Sequence, residues 1–291
     1  MLTVQAAGDR VLEVLLDGPD TGDLLVFHGG TPSAVVPRPL LSAPATRLGL
    51  RTVMYSRPGY AGSTPQPGRD VASCVDDVAA ILDHLGVDRF VTAGWSGGGP
   101  HALACAALLP DRCRAVATLA GVAPYTAKGL DWMAGMAPEN VDEFGAAIEG
   151  EAVLGPLLDR FAEELRGITA DQVAAALGGL VSPVDVQALT GELAETLAAS
   201  FRQAVSRGTA GWRDDDLAFV RHWGFGLDSI QVPAAIWQGS EDRMVPFDHG
   251  PWLIEHIPTA QSRLLDGVGH LSLVAHHLDR VYSELLDVAR V

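Results

Sequence analysis

Short apolar runs recur along the chain with helical patterns between them: Leu24 to His28, Thr52 to Ser56, Phe90 to Gly94, Ala115 to Ala120, Ala234 to Gln238 and Ser262 to Asp266. Several are continuous rather than alternating, the pattern of strands buried on both faces. Between the second and third runs, Val71, Val75, Val78, Leu82 and Leu85 stand at spacings of four and three, which predicts a helix with Ser73 as N-cap and Gly86 as its stop. Strand, helix, strand repeated in this way predicts an α/β architecture, a mostly parallel central sheet with helices on both faces. Leu2 to Ala6 and Val11 to Leu16, parted by Gly8-Asp9, predict an antiparallel opening hairpin.

The alternation stops between Pro124 and Asp228, where Ala-, Leu- and Glu-rich segments such as Glu151 to Arg166 and Val186 to Arg207 predict helices without strands. The expected division is a catalytic core of residues 1–123 and 229–291, interrupted by a helical cap, 124–228. A length of 291 residues suits one large core with such an insertion.

Charge narrows the partners. Thirty-six acidic against 20 basic side chains leave a net charge of −16, which argues against nucleic acid and against an anionic membrane surface. The insertion alone holds 17 acidic and 7 basic residues, so an anionic substrate is disfavoured beneath it relative to a neutral or cationic one. Phe90 to Pro110 carries no charged residue, but Gly97-Gly98-Gly99-Pro100 in its middle argues against a membrane span. The N-terminal stretch lacks the pattern of a secretory signal, and the expected location is the cytoplasm. Cys74, Cys105 and Cys113 have no CxxC spacing and read as reduced, partly buried thiols; no metal site is expected. Asp214-Asp215-Asp216 reads as a charge run at a helix N-terminus, because three consecutive carboxylates on a helix cannot converge on one ion.

Gly94-Trp95-Ser96-Gly97-Gly98 falls between a buried run and an apolar helical stretch, Pro100 to Leu109. A strand turning sharply into a helix holds its central serine in a strained conformation with the hydroxyl exposed, and the glycines give the backbone room for the turn. With this block the sequence resembles the α/β-hydrolase superfamily, in its serine-nucleophile branch with a helical cap. The resemblance extends in order through Val26-Phe27-His28-Gly29-Gly30, Tyr55-Ser56-Arg57-Pro58-Gly59-Tyr60-Ala61-Gly62-Ser63, Gly239-Ser240-Glu241-Asp242-Arg243-Met244-Val245-Pro246 and Gly267-Val268-Gly269-His270.

A serine hydroxyl needs a base within hydrogen-bond reach and an acid to orient that base. The resemblance implies these in the chain order Ser96, Asp242, His270. An alternative acid position at the end of the strand after the elbow helix is empty here, since that stretch reads Leu119-Ala120-Gly121-Val122-Ala123. Glu241 and Asp248 are the neighbouring rivals to Asp242, and His222 is the rival to His270. The resemblance also implies an oxyanion hole from the backbone N–H groups of Gly97 and Gly30. The Arg57 block matches a loop that is mainly architectural in the family. Trp95, Trp132 and Trp223 are candidate walls of the substrate pocket.

A serine nucleophile excludes the alkyl-enzyme routes of relatives that place aspartate at this position. What remains is acyl chemistry on a small neutral ester or related acyl substrate, with no cofactor. Proline iminopeptidases are similar in the His-Gly-Gly start and the large cap, but here the loop reads His28-Gly29-Gly30-Thr31-Pro32 instead of His-Gly-Gly-Pro-Gly. Carbon–carbon bond hydrolases, perhydrolases and acyltransferases share the triad and stay open, as does a ligand-binding receptor of the same fold.

Overall fold

The computed structural model describes residues 1–290. Its strands are β1 (Leu2–Gln5), β2 (Val11–Asp17), β3 (Leu24–His28), β4 (Arg51–Tyr55), β5 (Phe90–Trp95), β6 (Cys113–Leu119), β7 (Ala234–Gly239) and β8 (Ala260–Leu265). They form one sheet in the order β1-β2-β4-β3-β5-β6-β7-β8. The opening hairpin joins antiparallel, β1 on β2 and β2 on β4, and every later pairing is parallel.

The continuous apolar runs are explained by layering. In β3, Leu24 and Val26 face a core shared with α2 (Cys74–Leu85), α3 (Gly98–Leu108) and α10 (His249–His256). Leu25 and Phe27 face the opposite core, shared with α1 (Pro39–Arg47) and α11 (His270–Ala289). Successive strand side chains point to opposite faces, so a sheet covered on both sides demands apolar residues at every position.

Helix α2 runs from Cys74 and stops at Gly86, which takes φ +65°. Ser73 precedes it without capping it; its hydroxyl donates to Asp70 at 2.6 Å instead. The stretch expected as one helix over Val186 to Arg207 is two, α7 (Pro183–Ala188) and α8 (Gly191–Ala204), broken at Leu189-Thr190 where Gly191 takes φ +49°.

Segment 124–228 carries α4 (Pro138–Glu149), α5 (Glu151–Leu165), α6 (Val173–Leu177), α7, α8 and α9 (Ala210–Phe219), with no strand among the described residues. Asp214, Asp215 and Asp216 correct the charge-run reading. They lie past the first turn of α9 and are buried, at 3%, 0% and 0% exposure. Asp215 is held there by Arg57 at 2.7 Å and Arg69 at 2.6 Å, arginines distant in sequence whose approach no local pattern announces.

Candidate active site

Ser96 ends the β5-to-α3 turn in a left-handed conformation, φ +56°. Its N–H donates to Leu119 O of the neighbouring strand at 2.9 Å, and Gly99 N–H donates back to Ser96 O at 2.8 Å. A non-glycine residue at positive φ is strained and persists only where its surroundings hold it. The turn is too tight for side chains beside it: a Cβ on Gly94 would stand 2.1 Å from Gly98 O, and one on Gly98 would stand 2.1 Å from His28 O.

Asp242 sits in the loop after β7. Its Oδ1 accepts the N–H groups of Met244 and Val245 at 2.9 and 2.8 Å, and its Oδ2 accepts from Gln238 Nε2 at 3.2 Å. The same Oδ2 lies 2.8 Å from His270 Nδ1, both residues being buried. This contact places the ring proton on Nδ1 in the neutral histidine and leaves Nε2 to act as a base. Burial pushes the His270 imidazole down, but the Asp242 charge and hydrogen bond, with the Asp185 charge, outweigh it and raise the group above its ordinary value. Neither Glu241 nor Asp248 takes this position.

Ser96, His270, Gly30 and Gly97 line one cavity of about 410 Å³. A Cβ on Gly30 would lie 3.3 Å from Ser96 Cβ, which places that backbone directly beside the nucleophile candidate. Gly97 precedes the first turn of α3, whose unpaired N–H groups and dipole favour negative charge at this end.

Trp95 lines the cavity, and its ring centroid lies 5.5 Å from that of His270. Trp132 and Trp223 do not line it. The Trp132 indole donates to Ala123 O at 2.6 Å and packs edge-on against Phe144 and His249; the Trp223 indole donates to Phe219 O at 3.2 Å. Both bulky side chains fill the seam between insertion and sheet. Phe161 and Phe219, not singled out in the sequence, line the cavity instead, along with Phe144 and Trp212.

The other buried histidines have structural partners. His249 accepts Ala123 N–H on Nδ1 at 3.0 Å and donates from Nε2 to Trp132 O at 2.9 Å. His101 Nδ1 lies 2.9 Å from Gly97 O, and His28 stacks on His101. Burial pushes His101 down to about 3 and His249 down to about 4. The rival His222 is exposed and lies outside the cavity lining.

Two supporting residues escaped sequence reasoning. Asp185 of α7 is fully buried and accepts the N–H groups of His270, Leu271 and Ser272 at 3.0, 2.9 and 2.8 Å, capping α11 at the residue that faces Asp242. Gly269 makes room for it, since a Cβ there would stand 2.4 Å from Asp185 Oδ1. Ser182-Pro183-Val184-Asp185 carries a local helix-start signal, yet nothing in it names α11 as the target. Arg57, assigned only to architecture from the sequence, donates to Gly29 O at 2.6 Å and Gly30 O at 2.7 Å.

A mostly parallel sheet with a serine on the strand-to-helix turn, a buried histidine–aspartate contact and a cavity between them defines a hydrolase of the α/β type. The family model described as alpha/beta hydrolase fold matches residues 24–276, and the chain belongs to that family. It is 27% identical over 274 residues to a pimeloyl-[acyl-carrier protein] methyl ester esterase of Chromobacterium violaceum, covering 93% of this chain and 94% of that one. It is 25% identical to a 2-hydroxy-6-oxononadienedioate/2-hydroxy-6-oxononatrienedioate hydrolase of Cupriavidus pinatubonensis, covering 88% and 84%. Among solved structures, an alpha/beta hydrolase fold protein from Nakamurella multipartita superposes with a TM-score of 0.71 at 24% identity, covering 100% of this chain and 99% of that one. Among the described residues no helix is long and apolar enough to cross a membrane, and no cluster of His, Cys, Asp or Glu could hold a metal ion.

Proposed function

We propose that this α/β hydrolase cleaves a small carboxylic ester through an acyl-enzyme on Ser96. The observation that carries the reading is the His270 Nδ1 to Asp242 Oδ2 contact of 2.8 Å in the cavity that Ser96 opens into. In this mechanism His270 Nε2 takes the Ser96 proton as Oγ attacks the acyl carbon. The developing oxyanion is met by the N–H groups of Gly30 and Gly97, and the imidazolium is stabilised by Asp242. His270 then passes the proton to the leaving alkoxide. Water, activated by the same histidine, releases the acid and restores Ser96. The phenyl and indole groups in the cavity suit an acyl chain. The methyl ester esterase among the relatives supports an ester as substrate. Hydrolysis of p-nitrophenyl acetate and butyrate, together with labelling of Ser96 by a fluorophosphonate, tests the reading. Turnover and labelling that both vanish in Ser96→Ala are expected; a purified, folded protein that shows neither would overturn it.

A further inference from the structure

Four carboxyl groups, Glu139, Glu143, Glu164 and Asp216, line the cavity that holds Ser96. The guanidinium lining it is that of Arg38, whose Nη2 is engaged by Ala34 O at 2.6 Å and Ser200 Oγ at 2.5 Å. Asp216 stands out. It is fully buried, and neither of its oxygens accepts a hydrogen bond from an N–H or hydroxyl of the described residues. Its side-chain hydrogen-bond partner is the Glu143 carboxyl, a bond that requires one of the two groups to hold a proton, and Glu143 Oε1 also accepts the Trp212 indole N–H at 2.7 Å. A buried carboxyl left without a donor is costly, and a pair of them is costlier when both are ionised.

The pair lines the same cavity as Ser96 and His270. Asp216 and Phe219 are three residues apart on α9, hence on one face, and Phe219 Cζ lies 3.0 Å from where a Cβ on Gly97 would stand. Asp215, between them, points away to Arg57 and Arg69. Phe144, Phe161, Trp212 and Phe219 wall the same cavity, and aromatic faces attract a cation. An ammonium group would therefore give both carboxyls N–H donors in place of the proton they share, together with the positive charge the pair lacks.

We propose that the Glu143–Asp216 pair is a cation subsite that selects acyl substrates carrying an ammonium group. The inference rests on the serine-hydrolase reading. Burial, then the charge and hydrogen bond of Glu143, push the Asp216 carboxyl well above the usual range; Asp215 adds to this and Arg69 opposes it. Burial raises Glu143 as well. Without a ligand the raised values favour a proton held within the pair, and an arriving ammonium displaces it.

Three methyl esters of one chain length test the subsite: methyl ε-aminohexanoate, methyl heptanoate and monomethyl pimelate, which end in ammonium, methyl and carboxylate. The expected kcat/KM favours the ammonium ester over the methyl ester by about tenfold or more, with the carboxylate ester slowest. In Glu143→Gln and in Asp216→Asn the ammonium-to-methyl ratio falls to near one. A ratio near one in the unaltered protein, or a ratio that both variants preserve, overturns the proposal. Calorimetric titration of hexylammonium into the Ser96→Ala protein in two buffers of different ionisation enthalpy reads the subsite without turnover. Binding with proton release is expected; no binding, or binding without proton release, overturns the subsite. If none of the esters is hydrolysed, the serine-hydrolase reading fails, and this titration still decides the subsite.

Discussion

Arg57 and Asp215 form a buried ion pair between the loop after β4 and helix α9, with Nη2 2.7 Å from Oδ2 and the side chains 3% and 0% exposed. The guanidinium also reaches the loop beside Ser96, Nη1 donating to the carbonyl of Gly29 and the same Nη2 to that of Gly30. In a trans peptide the Gly29 C=O and the Gly30 N–H point in opposite directions. Anchoring the carbonyl on Arg57 therefore turns the N–H away from it and holds it in one orientation, and the charge on Arg57 polarises the peptide whose N–H is the proposed oxyanion donor.

Arg57→Lys is accordingly expected to lower kcat by about a hundredfold with a smaller effect on KM, the signature of losing an aligned oxyanion donor. A lysine cannot serve both carbonyls and Asp215 at once. Asp215→Ala leaves Arg57 buried beside Arg69 with no counter-charge and should destabilise the fold by about 3–5 kcal/mol. Steady-state kinetics on p-nitrophenyl butyrate and urea denaturation check the two effects.

Asp185→Ala removes the acceptor for three N–H groups at the start of α11. A lost N-cap is worth about 1–2 kcal/mol, and the freed helix start carries His270 with it. Faster amide hydrogen exchange at His270 to Ser272, accompanied by a lower kcat, is the expected result.

Activity should be lost as pH falls through the raised His270 value, since the base must be neutral to accept the Ser96 proton. Asp242→Asn removes the larger of the two charges that raise it and leaves burial, which lowers it, opposed only by the Asp185 charge. The acid limb of the kcat/KM profile then moves to lower pH while kcat falls by about ten-thousandfold. In stability the sign is opposite to that of a carboxylate. The protonated His270–Asp242 pair stabilises the fold below the ordinary histidine value of about 6.5, and that contribution fades as pH rises through the raised value. Rate profiles and melts across pH 5 to about 9 read both.

His28, His101 and His249 act the other way. Burial lowers all three, so the unfolded chain binds protons that the folded one refuses, and stability falls as pH drops below about 6.5. The loss continues toward about 4 for His249 and about 3 for His101. Each contributes at most about 1.4 kcal/mol per pH unit. His249→Gln should flatten the dependence of the unfolding free energy on pH between about 6 and 4, which urea titrations at stepped pH will show.

The strands were legible because burial on both faces removes polar residues from every position: Leu24 to His28 was read at its observed ends, and the run after Phe90 falls one residue short of β5. The turn that holds Ser96 was legible because its tight passage from β5 to α3 demands Gly94 and Gly98 around it. The helix α1 went unread because Pro39 and Pro44 interrupt its pattern, and Asp214 to Asp216 misled because charge in sequence says nothing about a distant arginine.

Local patterns by themselves determined the strands, their alternation with helices and the tight turn that holds Ser96, since those depend on residues adjacent in sequence. Tertiary structure alone decided that Asp185 would cap the helix of His270, that Arg57 would grip the loop of Gly30, and that Glu143 and Asp216 would meet inside the cavity. Each of these joins residues 27 to 85 positions apart, as in the Arg57–Gly30 and Asp185–His270 contacts. Such contacts are set by how loops and helices far apart in the chain settle against one another, a global packing outcome that no local spacing records.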